Sequence, residues 1–177
     1  DSRLPFPYRA TLDVLLVEGC LQLRLQATHL GLRPSWYGLG LHPYLPRNTH
    51  TRLQAKAAGV WLCGEDKLSS HWVELPEAWN FAEPRLLPQQ LVDNAFTQWP
   101  GHARIIQQDA GYQLVCTAHG CDVFLLFCPQ AQDFFCFEPV THPVNAHHLP
   151  QRPGLQLMAP GQSCRLSFSL HYQALKP

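Results

Sequence analysis

The stretch VFLLFCPQAQDFFCFE, residues 123–138, predicts two neighbouring strands joined by a short turn. Val123–Cys128 is apolar at every position, which is typical of a strand buried on both faces in the centre of a sheet. Pro129–Gln132 interrupts the apolar pattern with residues that favour a turn. Phe134–Glu138 then resumes it and ends on a carboxylate. We therefore predict a β-sheet core with an acidic residue at the end of one strand.

Strands with one buried and one solvated face are predicted elsewhere in the chain. Apolar and polar residues alternate along residues 20–28 and again along residues 164–173, which is the period of a half-buried strand. Glu18-Gly19 predicts a two-residue hairpin loop before the first of these strands. Asp109–Gly111 predicts a turn between two further strands. The only helical pattern is a single turn within Pro84–Leu91.

These patterns predict an all-β fold, a large antiparallel β-sandwich formed as a single domain over residues 1–177. Sixteen prolines and eleven glycines punctuate the chain, as expected of short strands and long loops. An open sandwich that lacks strands exposes its edges. The chain opens on Asp1, and Met158 is its single methionine. We therefore expect N-terminal strands of the fold to be missing from this sequence.

The composition argues against several partners. The 13 Lys and Arg residues balance 13 Asp and Glu residues, so no basic face for nucleic acid or an anionic membrane is predicted. No apolar run is long enough to span a membrane, and no signal-peptide pattern is visible. The seven cysteines lack C-x-x-C spacing, which indicates free thiols rather than a zinc ribbon. Free thiols favour a cytoplasmic location.

The segment GLGLHPYLP, residues 38–46, carries a histidine whose position its neighbours restrict. Pro43 disfavours helical backbone at His42 and so holds the imidazole in an extended segment. Gly38 and Gly40 allow the backbone to approach a ligand closely. Because imidazole exchanges protons near neutral pH, His42 is a candidate acid or base. The alternative is a histidine that lies on a loop or is satisfied in the core.

Three further residues are candidates for chemistry or binding. Glu138 ends an apolar strand, and apolar neighbours would raise its pKa and make it a better base at neutral pH. Asp93, between apolar residues, could accept hydrogen bonds from sugar hydroxyls. Trp99 could offer a flat apolar face to a sugar ring. The alternatives are a solvated glutamate, a turn aspartate and a tryptophan in the core.

Taken together and in this order, these segments resemble the aldose 1-epimerase (galactose mutarotase-like) family. The resemblance runs from about Pro7 to the C-terminus and implies the galactose mutarotase-like supersandwich fold. Four motifs carry it: GLGLHPY (residues 38–44) is similar to the central histidine motif, VDNAF (92–96) to the sugar-binding aspartate segment, FEPVT (137–141) followed by Asn145 to the catalytic glutamate segment, and APGQS (159–163) to the turn before the last strand.

The resemblance implies an isomerase that interconverts the α- and β-anomers of a free aldose. His42 would be the general acid that protonates the ring oxygen, and Glu138 the general base that deprotonates the anomeric hydroxyl. Asp93, Tyr44 and Trp99 would bind the sugar. No cofactor or metal would be needed, because the reaction only transfers protons on a hemiacetal. The implied partner is a small-molecule sugar.

Two departures from the family pattern affect the activity that the resemblance implies. The galactose mutarotase branch usually has Asn immediately before the histidine, whereas this chain has Leu41. The His-Pro-Tyr form resembles a bacterial branch, so galactose is not implied. The family also carries a second site histidine and an arginine in an N-terminal portion that this sequence lacks. Without these groups, both sugar affinity and rate should fall.

Three alternatives stay open on sequence grounds. The first is a non-catalytic carbohydrate-binding or sensing domain on the same fold. The second is a sugar-phosphate 1-epimerase, which would need cations such as Arg47 and Arg52 around the phosphate. The third is a metal-dependent β-barrel enzyme, for which the histidines could be ligands. Those histidines are His50, His142, His147 and His148.

Overall fold

The computed structural model describes residues 6–175 and consists almost entirely of antiparallel strands. Two single 3-10 turns, Glu77–Trp79 and Gln108–Ala110, are its helical elements. In chain order the strands are β1 (Tyr8–Val17), β2 (Cys20–His29), β3 (Ser35–Tyr37), β4 (Tyr44–Pro46), β5 (Arg52–Ala55), β6 (Gly59–Cys63), β7 (Ser69–Glu74), β8 (Phe81–Leu86), β9 (Val92–Thr97), β10 (His102–Gln107), β11 (Tyr112–His119), β12 (Val123–Cys128), β13 (Phe134–Val140), β14 (Gln156–Met158) and β15 (Ser163–Ala174).

Two large sheets form the sandwich. One has seven strands in the order β1-β2-β15-β11-β10-β5-β8, and the other has six in the order β4-β13-β12-β9-β6-β7. A small third sheet pairs β14 with β3. The predicted all-β, antiparallel sandwich is confirmed. Among residues 6–175, no helix combines the length and the apolar character that a membrane span requires.

The main core lies between the two sheets and is rich in aromatic rings. Phe124 stacks on Phe96 and on Phe137, with ring centroids 4.9 and 4.8 Å apart. Leu53 and Ile105 of the seven-stranded sheet belong to the same buried cluster. Burying one such side chain contributes about 2–3 kcal/mol, so this cluster is a principal source of the stability of the sandwich.

The strand and hairpin predictions are confirmed. Val17 pairs with Cys20 across Glu18 and Gly19. Both loop residues have positive φ (48° and 75°), as a tight hairpin turn requires. The apolar strand β12 lies inside its sheet between β13 and β9. The prediction of a helical turn in Pro84–Leu91 is wrong, because the first three residues of that segment, Pro84–Leu86, belong to strand β8.

The prediction that Trp99 binds sugar is wrong. Its side chain is 1% exposed and lies in the main core. The indole packs edge-on against Phe124 and Phe137, at centroid distances of 5.6 and 5.4 Å. Its Nε1–H donates to the carbonyl of His102 at 2.8 Å. Because its ring is buried and its N–H is already bonded, Trp99 has no surface left for a ligand.

Strand β1 forms one edge of the seven-stranded sheet, with β2 as its hydrogen-bonded neighbour. Its core-side residues Leu12 and Val14 pair with Leu25 and Leu23, which contact the buried clusters. Leu12 and Val14 themselves are exposed. The sandwich therefore presents an apolar surface along this edge strand.

Arg47 is a buried cation that ties two loops together. Its guanidinium donates to the carbonyl of Pro129, at 2.9 Å, in the turn between β12 and β13. It also donates to the carbonyl of Pro88, in the loop before β9. Its backbone N–H donates to the carbonyl of Asp133 at 2.7 Å. Arg47 is thus committed to backbone carbonyls rather than available to a phosphate.

We expect Arg47→Lys to lower the free energy of unfolding by about 1–3 kcal/mol, because an ammonium cannot reproduce the planar fork and leaves one carbonyl unpaired. Arg52→Lys, at an exposed position on β5, is the matched control and should change stability by less than about 0.5 kcal/mol. Urea denaturation of the two variants gives the comparison. Equal stabilities would contradict a structural role for Arg47.

Candidate active site

Backbone pairing sets His42 opposite Glu138. Just before β4, the backbone at residues 39–41 runs antiparallel to residues 139–141. The Leu41 N–H donates to the Pro139 carbonyl at 3.1 Å, and the Thr141 N–H donates to the Leu39 carbonyl at 2.8 Å. On the other side of the histidine, β4 pairs with β13 in the same register. Pro43 has no N–H to donate to β13. The backbone hydrogen bonds between the two segments are therefore interrupted beside His42 and Glu138.

Gly38 and Gly40 permit this pairing. A Cβ on Gly38 would lie 1.8 Å from the imidazole of His142, and one on Gly40 would lie 2.9 Å from Cγ1 of Val140. Both distances are shorter than a van der Waals contact. The close approach that these glycines allow is therefore to the chain around the end of β13, which holds the His42 segment against Glu138.

The two titratable side chains meet at the sheet surface. His42 Nε2 lies 3.2 Å from Glu138 Oε1. The imidazole is 53% exposed and the carboxylate 10% exposed, so one group is accessible and the other is largely desolvated. The Tyr44 ring stacks on the imidazole with centroids 4.9 Å apart and an interplanar angle of 24°. The imidazole is therefore held in place by the carboxylate and the phenol ring.

Burial changes the protonation of the carboxyl groups on this face. The pKa of Glu138 is raised to about 7: burial is the main cause, His42 lowers the pKa, and the negative charge of Asp93 raises it. The pKa of Asp93 is also raised by burial, and Lys67 and His42 lower it. A carboxyl that titrates near neutrality can both accept and return a proton at physiological pH.

An apolar floor lies next to Glu138 on the same face. Cross-strand pairing aligns Glu138 with Leu125, Ala95 and Trp61 across four strands. Paired residues project to the same side of a sheet. Trp61 is half-buried and packs against the cluster that contains Ala95, Leu125 and Val140. An aromatic side chain thus borders this floor, on the side of the six-stranded sheet that faces away from the main core.

The sequence did not single out Trp61. The run GVWLC in β6 contains no polar residue, so its sequence does not indicate which of its side chains faces a site. The register between β6 and β9 places Trp61 beside Ala95, and register is a tertiary property.

The histidines proposed as metal ligands do not assemble. His50 Nδ1 lies 2.6 Å from a carboxylate oxygen of Asp109, and His148 Nδ1 lies 2.7 Å from the side-chain oxygen of Asn145. Within the described part of the chain, the one group of three metal-binding side chains in mutual reach is His42, Cys136 and Glu138.

Two sizeable cavities lie away from these residues. One of about 360 Å³ is bordered by Tyr37 and Thr141, and one of about 480 Å³ is bordered by Arg24 and His119. Neither is lined by His42 or Glu138. Among residues 6–175, the His42–Glu138 ion pair is the one that combines an accessible imidazole with a desolvated carboxylate, which makes its surface the candidate active site.

Comparison with known proteins identifies the family. The family model described as aldose 1-epimerase matches residues 1–171. An uncharacterised protein of Escherichia coli K12, YphB, is 35% identical over 179 residues, covering 96% of this chain and 62% of that protein. The chain belongs to the aldose 1-epimerase family.

Solved structures show the same fold. A crystal structure from Escherichia coli K12, provisionally named an aldose 1-epimerase, aligns with a TM-score of 0.90 at 35% identity and covers 96% of this chain and 62% of that one. Galactose 1-epimerase from Lactobacillus acidophilus NCFM aligns with a TM-score of 0.79 at 15% identity, covering 97% of this chain and 59% of that one. The chain thus spans about three fifths of the length of these relatives.

The raised pKa of Glu138 predicts a specific dependence of stability on pH. Below the ordinary pKa of 4.5 the carboxyl is protonated in both the folded and unfolded states, and above about 7 it is ionised in both. Between these values only the folded state holds the proton, so stability falls as pH rises. The loss amounts to at most about 3 kcal/mol.

Glu138→Gln should remove this decline, since glutamine does not titrate. We expect the variant to gain stability relative to the unchanged protein as pH rises from 4.5 to 7. Urea denaturation across this range measures the difference. Glu83→Gln, at an exposed position on β8, is the control and should keep the decline. If the free energy of unfolding declined equally with pH in Glu138→Gln and in the unchanged protein, Glu138 would not be the group responsible for the decline.

Proposed function

We propose that this chain carries the acid–base pair of an aldose 1-epimerase, which interconverts the α- and β-anomers of a free aldose. The observation that supports this most strongly is the 3.2 Å contact between His42 Nε2 and Glu138 Oε1. The ring oxygen and the anomeric oxygen of an aldose are bonded to the same carbon. Two adjacent proton-transfer groups can therefore serve both oxygens of one bound sugar.

In the proposed reaction, the Glu138 carboxylate accepts the proton of the anomeric hydroxyl. The bond between C1 and the ring oxygen breaks, and the ring oxygen takes a proton from the imidazolium form of His42. The product is the open-chain aldehyde, with Glu138 protonated and His42 neutral. Rotation about the C1–C2 bond exposes the other carbonyl face, and ring closure reverses both proton transfers. A glutamate pKa of about 7 suits both directions.

The remaining residues of this face would bind the sugar. Asp93 projects from β9, and Lys67 in the turn before β7 is close enough to affect its pKa. Both could bond to ring hydroxyls. Trp61 would cover the apolar face of the ring, the role that the sequence suggested for Trp99. Tyr44 is 65% exposed, so its free edge could contact the sugar while its face orients His42.

We favour a neutral sugar over a sugar phosphate. The cations that the phosphate alternative invoked lie elsewhere: Arg47 is engaged by backbone carbonyls, and Arg52 belongs to the seven-stranded sheet. Lys67 is the basic side chain whose charge acts on Asp93. A single lysine is a weak basis for phosphate recognition, which commonly uses several donors.

His42→Ala and Glu138→Gln should each reduce the catalysed rate of anomer exchange by about 10²–10⁴-fold, because each removes one proton-transfer group. NMR exchange spectroscopy on a free aldose, corrected for the spontaneous rate, measures this. His171→Ala, at an exposed position on β15, is the control. Sugar binding with no acceleration in the unchanged protein would instead support a carbohydrate-sensing domain.

Trp61→Ala should raise KM by about 5- to 30-fold with a smaller change in kcat, because an aromatic contact contributes about 1–2 kcal/mol to binding and takes no part in proton transfer. Trp36→Ala, on the small third sheet, is the matched control. An unchanged KM in Trp61→Ala would remove Trp61 from the sugar site.

A further inference from the structure

Cys136 lies within the active-site face, yet the proposed reaction gives it no role. It is two residues before Glu138 on β13, so both side chains project to the same side of the sheet. The thiol is buried, and its pKa is raised to about 11, chiefly by burial and also by the charges of Glu138 and Asp93. At neutral pH it is therefore a protonated thiol beside two carboxyl groups.

Three different ligand types converge at this point. One imidazole nitrogen of His42, the sulfur of Cys136 and one carboxylate oxygen of Glu138 all lie within 4.8 Å of one another. They come from two elements, β13 and the segment that precedes β4. Convergence from separate elements fixes the ligands more firmly than a single loop would.

The geometry is close to that of a tetrahedral metal site. Bonds from Zn²⁺ to nitrogen, oxygen and sulfur of about 2.0–2.3 Å place ligand atoms roughly 3.5 Å apart. His42 Nε2 and Glu138 Oε1 are already 3.2 Å apart. The sulfur requires an inward shift of about 1 Å at most, which the exposed side chain of His42 can help to accommodate. Three protein ligands would leave a fourth position open.

The local charge also favours a cation. Asp93 acts on both Cys136 and Glu138 in the direction that opposes their ionisation. The face therefore already carries negative potential, which a divalent ion would relieve. A bound metal ion also displaces the proton of a coordinating thiol outright. Lys67 opposes this negative potential in part, because its positive charge lowers the pKa of Asp93.

We propose that His42, Cys136 and Glu138 form a binding site for Zn²⁺ that excludes the sugar. The metal takes the imidazole lone pair and the carboxylate that proton transfer needs. Metal binding itself rests only on the ligand geometry, whereas its inhibitory effect rests on the proposed function. The site is thus a switch that responds to free Zn²⁺, rather than a cofactor site of the reaction.

Co²⁺ is the probe, because its bond to a thiolate gives a charge-transfer band in the near-ultraviolet. Titrating the protein with Co²⁺ should produce this band together with the visible bands of tetrahedral cobalt, and Zn²⁺ should abolish both. Cys136→Ser should remove the charge-transfer band. His42→Ala, at an accessible position outside the core, should weaken Co²⁺ binding at least tenfold. Cys121→Ser, at a half-buried thiol in the loop before β12, should leave the spectrum unchanged.

The absence of a charge-transfer band, or a band that survives in Cys136→Ser, would overturn the metal site. Anomer exchange measured with increasing Zn²⁺ then tests inhibition: loss of rate that a chelator restores supports it, and full activity at saturating Zn²⁺ refutes exclusion of the sugar. A Co²⁺ band that needs Cys136, in a protein without any exchange activity, would establish the metal site and refute the epimerase proposal.

Discussion

The antiparallel register between residues 38–46 and β13 is the constraint on which the site depends. It is fixed on one side by the bridge between Gly40 and Val140 and on the other by the pairing of Tyr44 with Cys136. His42 lies between these anchors, and Glu138 lies opposite it. A slip of one residue would move one of the two side chains to the other face of the sheet. The contact between His42 and Glu138 is therefore a consequence of backbone pairing.

The same strand serves the core and the site through its alternation. Phe135 and Phe137 project between the sheets into the main cluster, while Cys136 and Glu138 project to the opposite surface. The packing of the phenylalanines keeps β13 rigid, and the neighbouring apolar residues exclude water from the Glu138 carboxyl. Desolvation of the carboxyl, which raises its pKa, thus has the same origin as the stability of the sheet.

Much of this could be predicted from residues alone, because it depends on local pattern. The apolar run of β12 and the Glu18–Gly19 hairpin follow from periodicity and turn chemistry. Glu138 was predicted to end its strand, whereas β13 continues through Pro139 to Val140, because these residues still pair with β12. Trp99 and Trp61 show what local sequence pattern cannot predict. Both are tryptophans in or beside strands, and only the packing of the second sheet decides that Trp99 is enclosed while Trp61 borders the face that carries Glu138.

Arg47 shows the same limit for charge. Its sequence position after the histidine motif suggested a ligand-binding cation, yet its guanidinium bonds to carbonyls from two distant loops. Such long-range partners are invisible to a single sequence. They also show that a cation near a motif is not evidence of an anionic substrate until its hydrogen bonds are known.

The proposed chemistry requires that the desolvated carboxyl of Glu138 exchange a proton with its surroundings near neutral pH. Site-specific carbon-13 NMR titration of the Glu138 carboxyl tests this most directly, with Glu138→Gln used to assign the resonance. A titration midpoint near 7 is the result we predict. A midpoint near the ordinary value of 4.5 would mean that the carboxylate is solvated and would contradict the account.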